Sequence, residues 1–319
     1  MRAIIYSAPG GPEVIQLREV PTPEPGPGQV RVRVRAAGLN RADIHQRRGN
    51  YPAPPGWPAD IPGLEYAGEV EALGPGTTRW RPGDRVMGLV GGGAHAEVVI
   101  VHQDEVLAIP QALSFTEAAA IPEAFLTAWD ALVTRGRLQP GERVLLHAVG
   151  SGVGTAAAQI AKRIGAIVLG TSRQRAKLER AQEYGLDIGI DTSAASFRDA
   201  VTEPVHVVVD VLGGPALADN LAVLAPRGRL VLLGFLQGNR AEVSLEPVLR
   251  KRLEIIGSVM RTRLLAERIP LVAEFAARVL PDFPPLRPVV GATFPMTALA
   301  DAHRAMESDE SFGKTVLIW

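Results

Sequence analysis

Two different patterns of apolar and polar positions divide this chain. Over its first third, apolar residues alternate with charged ones, as in "QVRVRVRAAG" at residues 29–38. A period of two residues is typical of a strand with one buried face. Segments rich in glycine and proline, such as "GPGTTRWRPGD", separate these runs and have the composition of turns. This part of the chain therefore predicts a small antiparallel β barrel or sandwich.

The pattern changes near residue 115. The segment 114–136, "SFTEAAAIPEAFLTAWDALVTRG", has a helical pattern, and Ser114 and Glu117 have the spacing of a capping box. Beyond it, apolar runs such as "RVLLHAV", "AIVLGTS" and "VHVVVDVLG" alternate with helical segments. From about residue 261, a helix leads to a closing strand, "GKTVLIW". Apolar strands joined by helices indicate a parallel sheet that is covered on both faces.

The composition narrows the class of protein. A length of 319 residues favours two domains, and a formal net charge of zero argues against nucleic acid or an anionic membrane as the main partner. The sequence contains neither an apolar run that could cross a bilayer nor the apolar stretch of a secretory signal, so we expect a soluble cytoplasmic protein. The absence of cysteine excludes disulfides, thiolate catalysis and cysteine-ligated zinc.

A glycine-rich turn, "HAVGSGVGTAAAQIAK" at residues 147–162, joins an apolar run to a helical one. A helix N-terminus presents unpaired N–H groups and a partial positive charge, which attract phosphate, and glycine lets the backbone approach a pyrophosphate closely. Because Gly152 and Gly154 lie inside a βαβαβ run, the pattern predicts a dinucleotide site. The alternative is a glycine-rich turn that only packs.

The end of the next strand distinguishes the two nicotinamide cofactors. An NAD site usually has Asp or Glu there to bind the ribose hydroxyls, whereas a 2′-phosphate attracts hydroxyl, guanidinium and ammonium groups. This chain has Ser172, Arg173, Arg175 and Lys177 there, with no carboxylate among them. The segment therefore predicts NADPH. The alternative is a solvated helix face that happens to be basic.

The densest polar stretch is "GLNRADIHQRRGNY", residues 38–51, between a strand and a proline-rich segment. We expect Asn40, Asp43, His45 and Tyr51 to lie on a loop, where catalytic residues are common. Ordinary loop polarity is the alternative for this stretch. None of the six histidines has the spacing of a metal-binding cluster.

The whole chain resembles the medium-chain dehydrogenase/reductase superfamily, in the zinc-free quinone oxidoreductase branch that includes zeta-crystallin, and most closely its p53-inducible subgroup. The segments that carry this resemblance are "LNRADIHQRRGNYPAPPG", "IPGLEYAGEV", "GDRVMGLVGGG", "AAAIPEAFLTAWDAL", "HAVGSGVGTAAAQIAK", "DVLGGPAL" and "GRLVLLGFLQG". The resemblance implies an α/β fold: a GroES-like, β-rich catalytic domain from residues 1–121 and 261–319, and an inserted Rossmann domain, a doubly wound parallel sheet, from residues 122–260. It also implies a homodimer, commonly formed through edge strands of the Rossmann sheets.

The resemblance also implies the roles of individual residues. Asn40 matches an asparagine near the nicotinamide, Tyr51 a tyrosine of the substrate cleft, and Thr127 a threonine that approaches the nicotinamide. The resemblance assigns Ser151, Gly152, Val153 and Gly154 to the pyrophosphate, Lys177 to the 2′-phosphate, and Gly234, Phe235, Leu236, Gln237, Ser258, Val259 and Met260 to the nicotinamide end. The basic segment itself adds Ser172 and Arg173 at the 2′-phosphate. His45 and Tyr51 are candidates to bind the acceptor carbonyl or to supply a proton.

Some positions depart from the pattern of the branch. Relatives often have tyrosine or an aliphatic residue at His45, a tyrosine against the 2′-phosphate at Thr192, and a second glycine at Ser151. Zinc-dependent members carry a cysteine at Asn40 and a Gly-His-Glu where this chain has Gly63-Leu64-Glu65, so we expect no metal.

The function that follows is hydride transfer from NADPH to a quinone or another conjugated carbonyl. Three alternatives stay open from the sequence: reduction of 2-alkenals or 2-alkenones, a non-catalytic NADPH-binding role, and a zinc alcohol dehydrogenase. The first of these uses the same residues and differs only in the shape of the pocket.

Overall fold

The computed structural model describes residues 1–319, which form two compact units. One unit contains Met1–Leu126 and Met260–Trp319, and the other contains Thr127–Val259. The domain assignment made from the sequence has its boundaries at 121/122 and 260/261. The first of these is called unit 1 and the second unit 2.

The strands and helices follow in chain order. The first seven strands are β1 (Arg2–Tyr6), β2 (Ile15–Glu19), β3 (Gln29–Leu39), β4 (Glu65–Leu73), β5 (Arg85–Leu89), β6 (Val98–His102) and β7 (Val106–Ala108). The other strands are β8 (Arg143–Leu146), β9 (Ile167–Ser172), β10 (Ile188–Asp191), β11 (Val205–Asp210), β12 (Leu224–Leu232), β13 (Glu254–Gly257), β14 (Val290–Pro295) and β15 (Lys314–Ile318). The α-helices are α1 (Arg41–Arg47), α2 (Phe115–Ala118), α3 (Pro122–Trp129), α4 (Gly152–Ile164), α5 (Arg175–Ala181), α6 (Phe197–Ala200), α7 (Leu217–Val223), α8 (Glu246–Lys251), α9 (Leu265–Arg278) and α10 (Leu299–Glu307).

Unit 1 is built on a seven-stranded sheet and a separate β1–β2 hairpin. The strand order of the sheet is β14-β15-β3-β4-β5-β7, with β6 also paired to β3. All pairs are antiparallel except β14–β15, so the sheet is mixed. The alternation of β3 places Val30, Val32 and Val34 in the core. On the other face of β3, Arg35 pairs with Glu69 of β4 at 2.6 Å.

Unit 2 contains a six-stranded sheet in the order β10-β9-β8-β11-β12-β13, and every pair is parallel. Counted within the unit, this order is 3-2-1-4-5-6, the arrangement of a Rossmann fold. Strand residues such as Val144, Leu145, Val208 and Leu230 are fully buried, as expected for a sheet covered on both faces. The predicted α/β fold class is confirmed.

The helical pattern of the segment 114–136 is confirmed, and the structure divides it into three parts: α2 ends before Ala119, α3 begins at Pro122, and Asp130–Arg135 forms a π-helix. Proline has no N–H to donate and is tolerated in the first turn of a helix, so Pro122 begins a new helix. The predicted capping box is present, because Ser114 Oγ accepts from Glu117 N at 3.2 Å.

One local prediction is wrong: the polar stretch 38–51, which we expected to be a loop, contains a helix. Residues 41–47 form α1, and the backbone N–H of Asn40 donates to the Asp43 carboxylate at 2.8 Å. An Asn followed three residues later by an acidic side chain is a helix start, and buried Ile44 anchors the helix on the core.

No helix in either unit has both the length and the apolar composition that crossing a bilayer requires.

Candidate active site

The glycine turn of unit 2 lies between β8 and α4. Ser151 precedes α4 in an extended conformation, and its Oγ accepts from Gly154 N at 3.0 Å. A Cβ atom at Gly154 would lie 2.6 Å from the carbonyl oxygens of both Ala148 and Val149, so only glycine fits there. No acidic residue lies in the first turn of α4. The N-terminus of α4 can therefore receive an anion.

A buried chain of side chains supports this turn from below. His147, directly after β8, is hydrogen-bonded through Nδ1 to Thr171 Oγ1 at 3.0 Å and through Nε2 to Asn220 Oδ1 at 2.8 Å. Asn220 Nδ2 in turn donates to Asp210 Oδ2 at 3.1 Å. Burial lowers the pKa of His147, which favours the neutral ring. The contacts tie the carboxyl ends of β8, β9 and β11 together, where ligands bind in open α/β sheets.

The basic segment after β9 begins the neighbouring helix. Ser172 is buried, with its Oγ accepting from Gln174 N at 3.1 Å. Arg173 is exposed and precedes α5. Lys177 is half-buried in the first turn of α5, and this turn contains no acidic residue. Arg175 pairs with Glu179 one helical turn away at 3.1 Å. A phosphate would therefore meet cationic side chains and no carboxylate in the first turn of α5.

The remaining predicted cofactor positions follow the ends of β12 and β13. Gly234–Gln237 form a turn in which Leu236 N donates to Val211 O at 3.0 Å, and the side chains of Phe235 and Leu236 are exposed. Ser258 Oγ donates to Asp130 Oδ2 at 2.6 Å. The predicted positions Thr127 and Met260 are buried, whereas Val259 is exposed.

In unit 1, Asn40 belongs to a buried polar cluster. Its Oδ1 accepts from Lys314 Nζ at 2.6 Å, and its Nδ2 donates to Glu65 Oε1 at 3.0 Å. Lys314 and Glu65 form an ion pair with each other, with side chains that are 6% and 0% exposed. The amide of Asn40 is thus held at both ends by charged side chains.

A second pair of titratable groups lies beside this cluster. The Asp43 carboxylate accepts from Asn40 N at 2.8 Å and from Gly63 N at 3.2 Å, and burial raises the pKa of Asp43. His95 is fully buried with neither ring nitrogen hydrogen-bonded, and burial lowers its pKa. The residue Gly63 has φ +98° and packs against the His95 ring so closely that a Cβ atom would collide with it.

His45 and Tyr51, the predicted acceptor-binding residues, differ in their environment. His45 lies on α1, and burial followed by the charges of Arg41 and Arg48 lowers its pKa. The imidazole is therefore largely neutral at pH 7, which disfavours it as a proton donor. Tyr51 is half-buried, and burial followed by the Glu123 carboxylate raises its pKa, so its hydroxyl keeps its proton.

Arg261 fixes the backbone around Tyr51. Its guanidinium donates to Gly91 O at 2.7 Å, to Tyr51 O at 2.9 Å and to Gln46 Oε1 at 2.7 Å. It also lies 4.9 Å from the centre of the Tyr51 ring, which is cation–π distance. Arg261 thus connects Tyr51 to α1 and to the segment after β5.

Arg261 also lines a small cavity of unit 1. The cavity has a volume of about 20 Å³, enough for one water molecule. Its walls are mostly apolar and carry four charged side chains. The apolar residues are Leu64, Leu89, Val90, Leu126, Met260, Leu271 and Val272, and the charged ones are Glu105, Glu123, Arg261 and Arg268. A small-molecule site is on the order of 300–1,000 Å³, so this cavity by itself is too small to hold a quinone.

Comparison with known proteins identifies the family. Two family profiles match: the alcohol dehydrogenase GroES-like domain at residues 26–111 and the zinc-binding dehydrogenase at residues 152–278. A quinone oxidoreductase of Pseudomonas aeruginosa is 34% identical over 330 residues, with 99% of each chain covered. The chain belongs to the medium-chain dehydrogenase/reductase superfamily, in its quinone oxidoreductase branch.

Solved structures agree with this assignment. The Escherichia coli quinone oxidoreductase complexed with NADPH is 28% identical and superposes with a TM-score of 0.89, with 100% of both chains covered. A structure described as an NAD-dependent alcohol dehydrogenase is 33% identical with a TM-score of 0.87, again with 100% of both chains covered. This member of the superfamily is an oxidoreductase, and both neighbours support a nicotinamide cofactor.

The residues that would hold zinc in zinc-dependent members of the superfamily do not fit a metal here. Leu64 has no donor atom, and Asn40 offers only a neutral amide oxygen. That oxygen and Glu65 Oε1 both already accept from the Lys314 ammonium. A zinc ion would have to displace a buried cation from these oxygens.

The sequence alone did not indicate three residues that contact members of the candidate site. Glu65 and Lys314 hold Asn40, and Arg261 holds Tyr51. One signal was available for Lys314: it is one of only four lysines in an arginine-rich chain, and it begins the apolar strand "KTVLI". Arg261 follows Met260 in a segment with no periodic pattern and gave no such signal.

Proposed function

We propose that this protein transfers a hydride from NADPH to a quinone or a related conjugated carbonyl without a metal. The observation that carries the proposal is the Lys314 ammonium, which is bonded to Asn40 Oδ1 and paired with Glu65 in a member of an oxidoreductase superfamily. A site without a Lewis acid has little to stabilise an alkoxide. The acceptor must therefore already be electrophilic, as quinones and enones are.

NADPH fits the residues of unit 2. Gly152 and Val153 lie in the first turn of α4, where backbone N–H groups face the pyrophosphate in this fold, and Gly154 lets α4 pack closely on the turn that follows β8. Arg173 and Lys177 would bind the 2′-phosphate, an interaction that NADH cannot make. When bound, the cofactor supplies the hydride, and the protein orients it and excludes water.

Unit 1 would bind the acceptor. Reduction of a conjugated carbonyl adds one hydride from the cofactor and one proton. Tyr51 carries a protonated hydroxyl near neutral pH, because burial raises its pKa, so we assign it the proton or the hydrogen bond to the carbonyl oxygen. His45, with its lowered pKa, is assigned the wall of the pocket.

The Tyr51 hydroxyl also favours a second candidate, the reduction of 2-alkenals or 2-alkenones. An enone needs a proton at its α carbon or carbonyl oxygen, whereas a quinone needs little acid assistance. The same residues serve both acceptors, so the two functions differ only in substrate.

The edge of the unit 2 sheet supports the expectation of a homodimer. β13 pairs only with β12, and its other edge has no partner strand within the chain. Ile255 on this edge is 43% exposed, and Leu249 on the preceding helix is 81% exposed. An unpaired edge with exposed apolar residues is a favourable surface for a second copy. Sedimentation of the protein and of an Ile255→Lys variant tests this, with a shift from dimer to monomer expected.

A cofactor and acceptor panel tests the proposed function. NADPH and NADH are each assayed with a benzoquinone and an alkenone, and a primary alcohol is assayed with NADP⁺, before and after dialysis against a strong chelator. We expect NADPH-dependent reduction that survives the chelator and very slow oxidation of the alcohol. Activity that is lost to the chelator and restored by Zn²⁺ would contradict the metal-free assignment.

A further inference from the structure

The contacts of Asn40, Glu65 and Lys314 form a closed ring of three side chains. Lys314 Nζ donates to Asn40 Oδ1 and to Leu39 O, at 2.6 and 3.2 Å, and pairs with Glu65 Oε1. An ammonium has three N–H groups, so these three oxygens saturate it. Asn40 Nδ2 closes the ring by donating to the same Glu65 oxygen at 3.0 Å.

This ring allows only one orientation of the Asn40 amide. If the amide rotated by half a turn, its NH₂ group would face the ammonium and its carbonyl oxygen would face the carboxylate. Both contacts would then be repulsive in a buried site, where charges are weakly screened. Lys314 and Glu65 therefore determine which face of Asn40 carries the carbonyl and which carries the NH₂ group.

The other oxygen of Glu65 extends the ring to a helix. Glu65 Oε2 accepts from the backbone N–H of Glu123 at 2.8 Å, in the first turn of α3. The N-terminus of a helix favours a carboxylate, so this contact fixes the start of α3. One carboxylate therefore holds both Asn40 and the beginning of a second element.

We propose that Lys314 and Glu65 are positioning residues for the reaction, which act by fixing the orientation of the Asn40 amide. The inference rests on the proposed function and on the expectation, from the resemblance, that Asn40 lies near the nicotinamide. Neither charge needs to touch the substrate or the cofactor. Their effect on the reaction passes through Asn40, and this distinguishes positioning from a contribution to stability alone.

A double-mutant cycle tests this dependence. Lys314→Met, Asn40→Ala and the double variant are compared with the parent for kcat with a benzoquinone, for KM for NADPH and for urea unfolding. We expect Lys314→Met to lower kcat on the order of tenfold to a hundredfold, because small misplacements in an active site have effects of this size. In the Asn40→Ala background, the same substitution should lower kcat no further. KM for NADPH should stay unchanged by Lys314→Met.

Two further variants separate positioning from folding. Lys314→Met with Glu65→Gln removes both charges together, which leaves no unpaired buried ion, and it should unfold at a higher urea concentration than Lys314→Met alone. Its kcat should nevertheless stay low, because no cation orients Asn40. Lys251→Met is the matched control: Lys251 Nζ also donates to three oxygens, the carbonyls of Leu221, Ala222 and Leu224, but to no asparagine. This control should lose stability and keep its kcat.

The outcomes decide between the two roles. Two results would overturn the positioning role. One is that Lys314→Met lowers kcat as much in the Asn40→Ala background as in the parent, and the other is that Lys314→Met leaves kcat unchanged. If the parent reduces neither a quinone nor an enone, the proposed function fails. The unfolding free energies of the same variants then test the ring by itself. Non-additive losses for Lys314→Met and Asn40→Ala support contact between the two side chains, and additive losses refute it.

Discussion

The cofactor turn of unit 2 and the polar cluster of unit 1 are built in different ways. The turn is made of backbone: Gly154 leaves no room for a side chain, and the first turn of α4 presents N–H groups. The cluster is made of side chains whose charges are buried, with Asn40 held between Glu65 and Lys314. A backbone site binds any phosphate of the right shape, whereas a side-chain site depends on each individual group. Substitutions should therefore have different consequences in the two regions.

The largest expected effect concerns Tyr51, a side chain of unit 1 that lies outside the polar cluster. Tyr51→Phe should lower kcat for an alkenone by about 10²–10⁴-fold, the usual contribution of a positioned proton donor. Benzoquinone reduction should fall much less, because a quinone needs little acid assistance. Steady-state assays with both acceptors measure the ratio. An equal response of both acceptors, or none, would reduce Tyr51 to a wall of the pocket.

The pH dependence of the alkenone reaction distinguishes Tyr51 from His45. Burial raises the pKa of Tyr51, so its hydroxyl stays protonated through neutral pH and the rate should be flat between about pH 7 and 9. Burial lowers the pKa of His45, so a rate that depends on protonated His45 would already be falling below about pH 6.5. A fall of kcat in that acidic range as the pH rises would assign the proton to His45.

The second largest effect concerns the charges beside the backbone site. Replacing both Arg173 and Lys177 by Ala should raise KM for NADPH by more than tenfold, because each charge-assisted hydrogen bond contributes about 1.5–3 kcal/mol. KM for NADH should hardly change, since NADH has no 2′-phosphate. The parent must show the preference first: equal KM values for the two cofactors would refute the assignment of this segment.

The third prediction concerns the backbone site itself. Gly154→Ala would place a Cβ 2.6 Å from two carbonyl oxygens, so the turn must shift. We expect NADPH binding to weaken by about 1–3 kcal/mol, roughly fivefold to 150-fold in Kd. Gly257→Ala is the control, because its Cβ would meet no atom within 4 Å. Fluorescence titration with NADPH measures both variants, and equal affinities would show that the turn adapts.

The difference between the backbone site of unit 2 and the side-chain site of unit 1 also explains which features the sequence predicted. The glycine turn and the strand–helix alternation lie within short segments, so their pattern predicted both the Rossmann sheet and its binding edge. The alternation in β3 predicted antiparallel strands in unit 1, and they are antiparallel except for the parallel pair β14–β15. The start of α1 was missed although its signal, Asn40 followed by Asp43, is local.

The polar cluster could not be predicted in the same way. Asn40 was found by resemblance, but its partners are 25 residues away at Glu65 and 274 residues away at Lys314. Such contacts depend on how β15 pairs with β3, a register that no local pattern encodes. Arg261 likewise reaches Gln46 across 215 residues. The backbone site is local in the sequence, and the side-chain site exists only in the fold.

The smallest expected effect concerns the stability of the protein in acid, which depends on its buried histidines. Unit 1 buries His95 and His303, and unit 2 buries His147; burial lowers the pKa of all three. His303 has the best-defined surroundings: Arg47 Nη1 lies 2.9 Å from its Nδ1, and burial followed by the Arg47 charge lowers its pKa to about 3. The folded protein therefore keeps this ring neutral in mildly acidic solution, where an unfolded chain would protonate it.

The sign of the stability change follows from this difference. Between the unfolded value of about 6.5 and the folded value of about 3, the unfolded state binds a proton that the folded state does not. The free energy of unfolding should therefore fall as the pH is lowered below about 6.5, by at most about 1.4 kcal/mol per pH unit for this one group. Urea unfolding of the parent and of His303→Gln at pH 7 and pH 5 measures it. The raised pKa of Asp43 opposes the trend equally in both proteins and cancels in the comparison. The variant should lose less stability than the parent between the two pH values, and identical losses would mean that His303 is protonated in the folded protein.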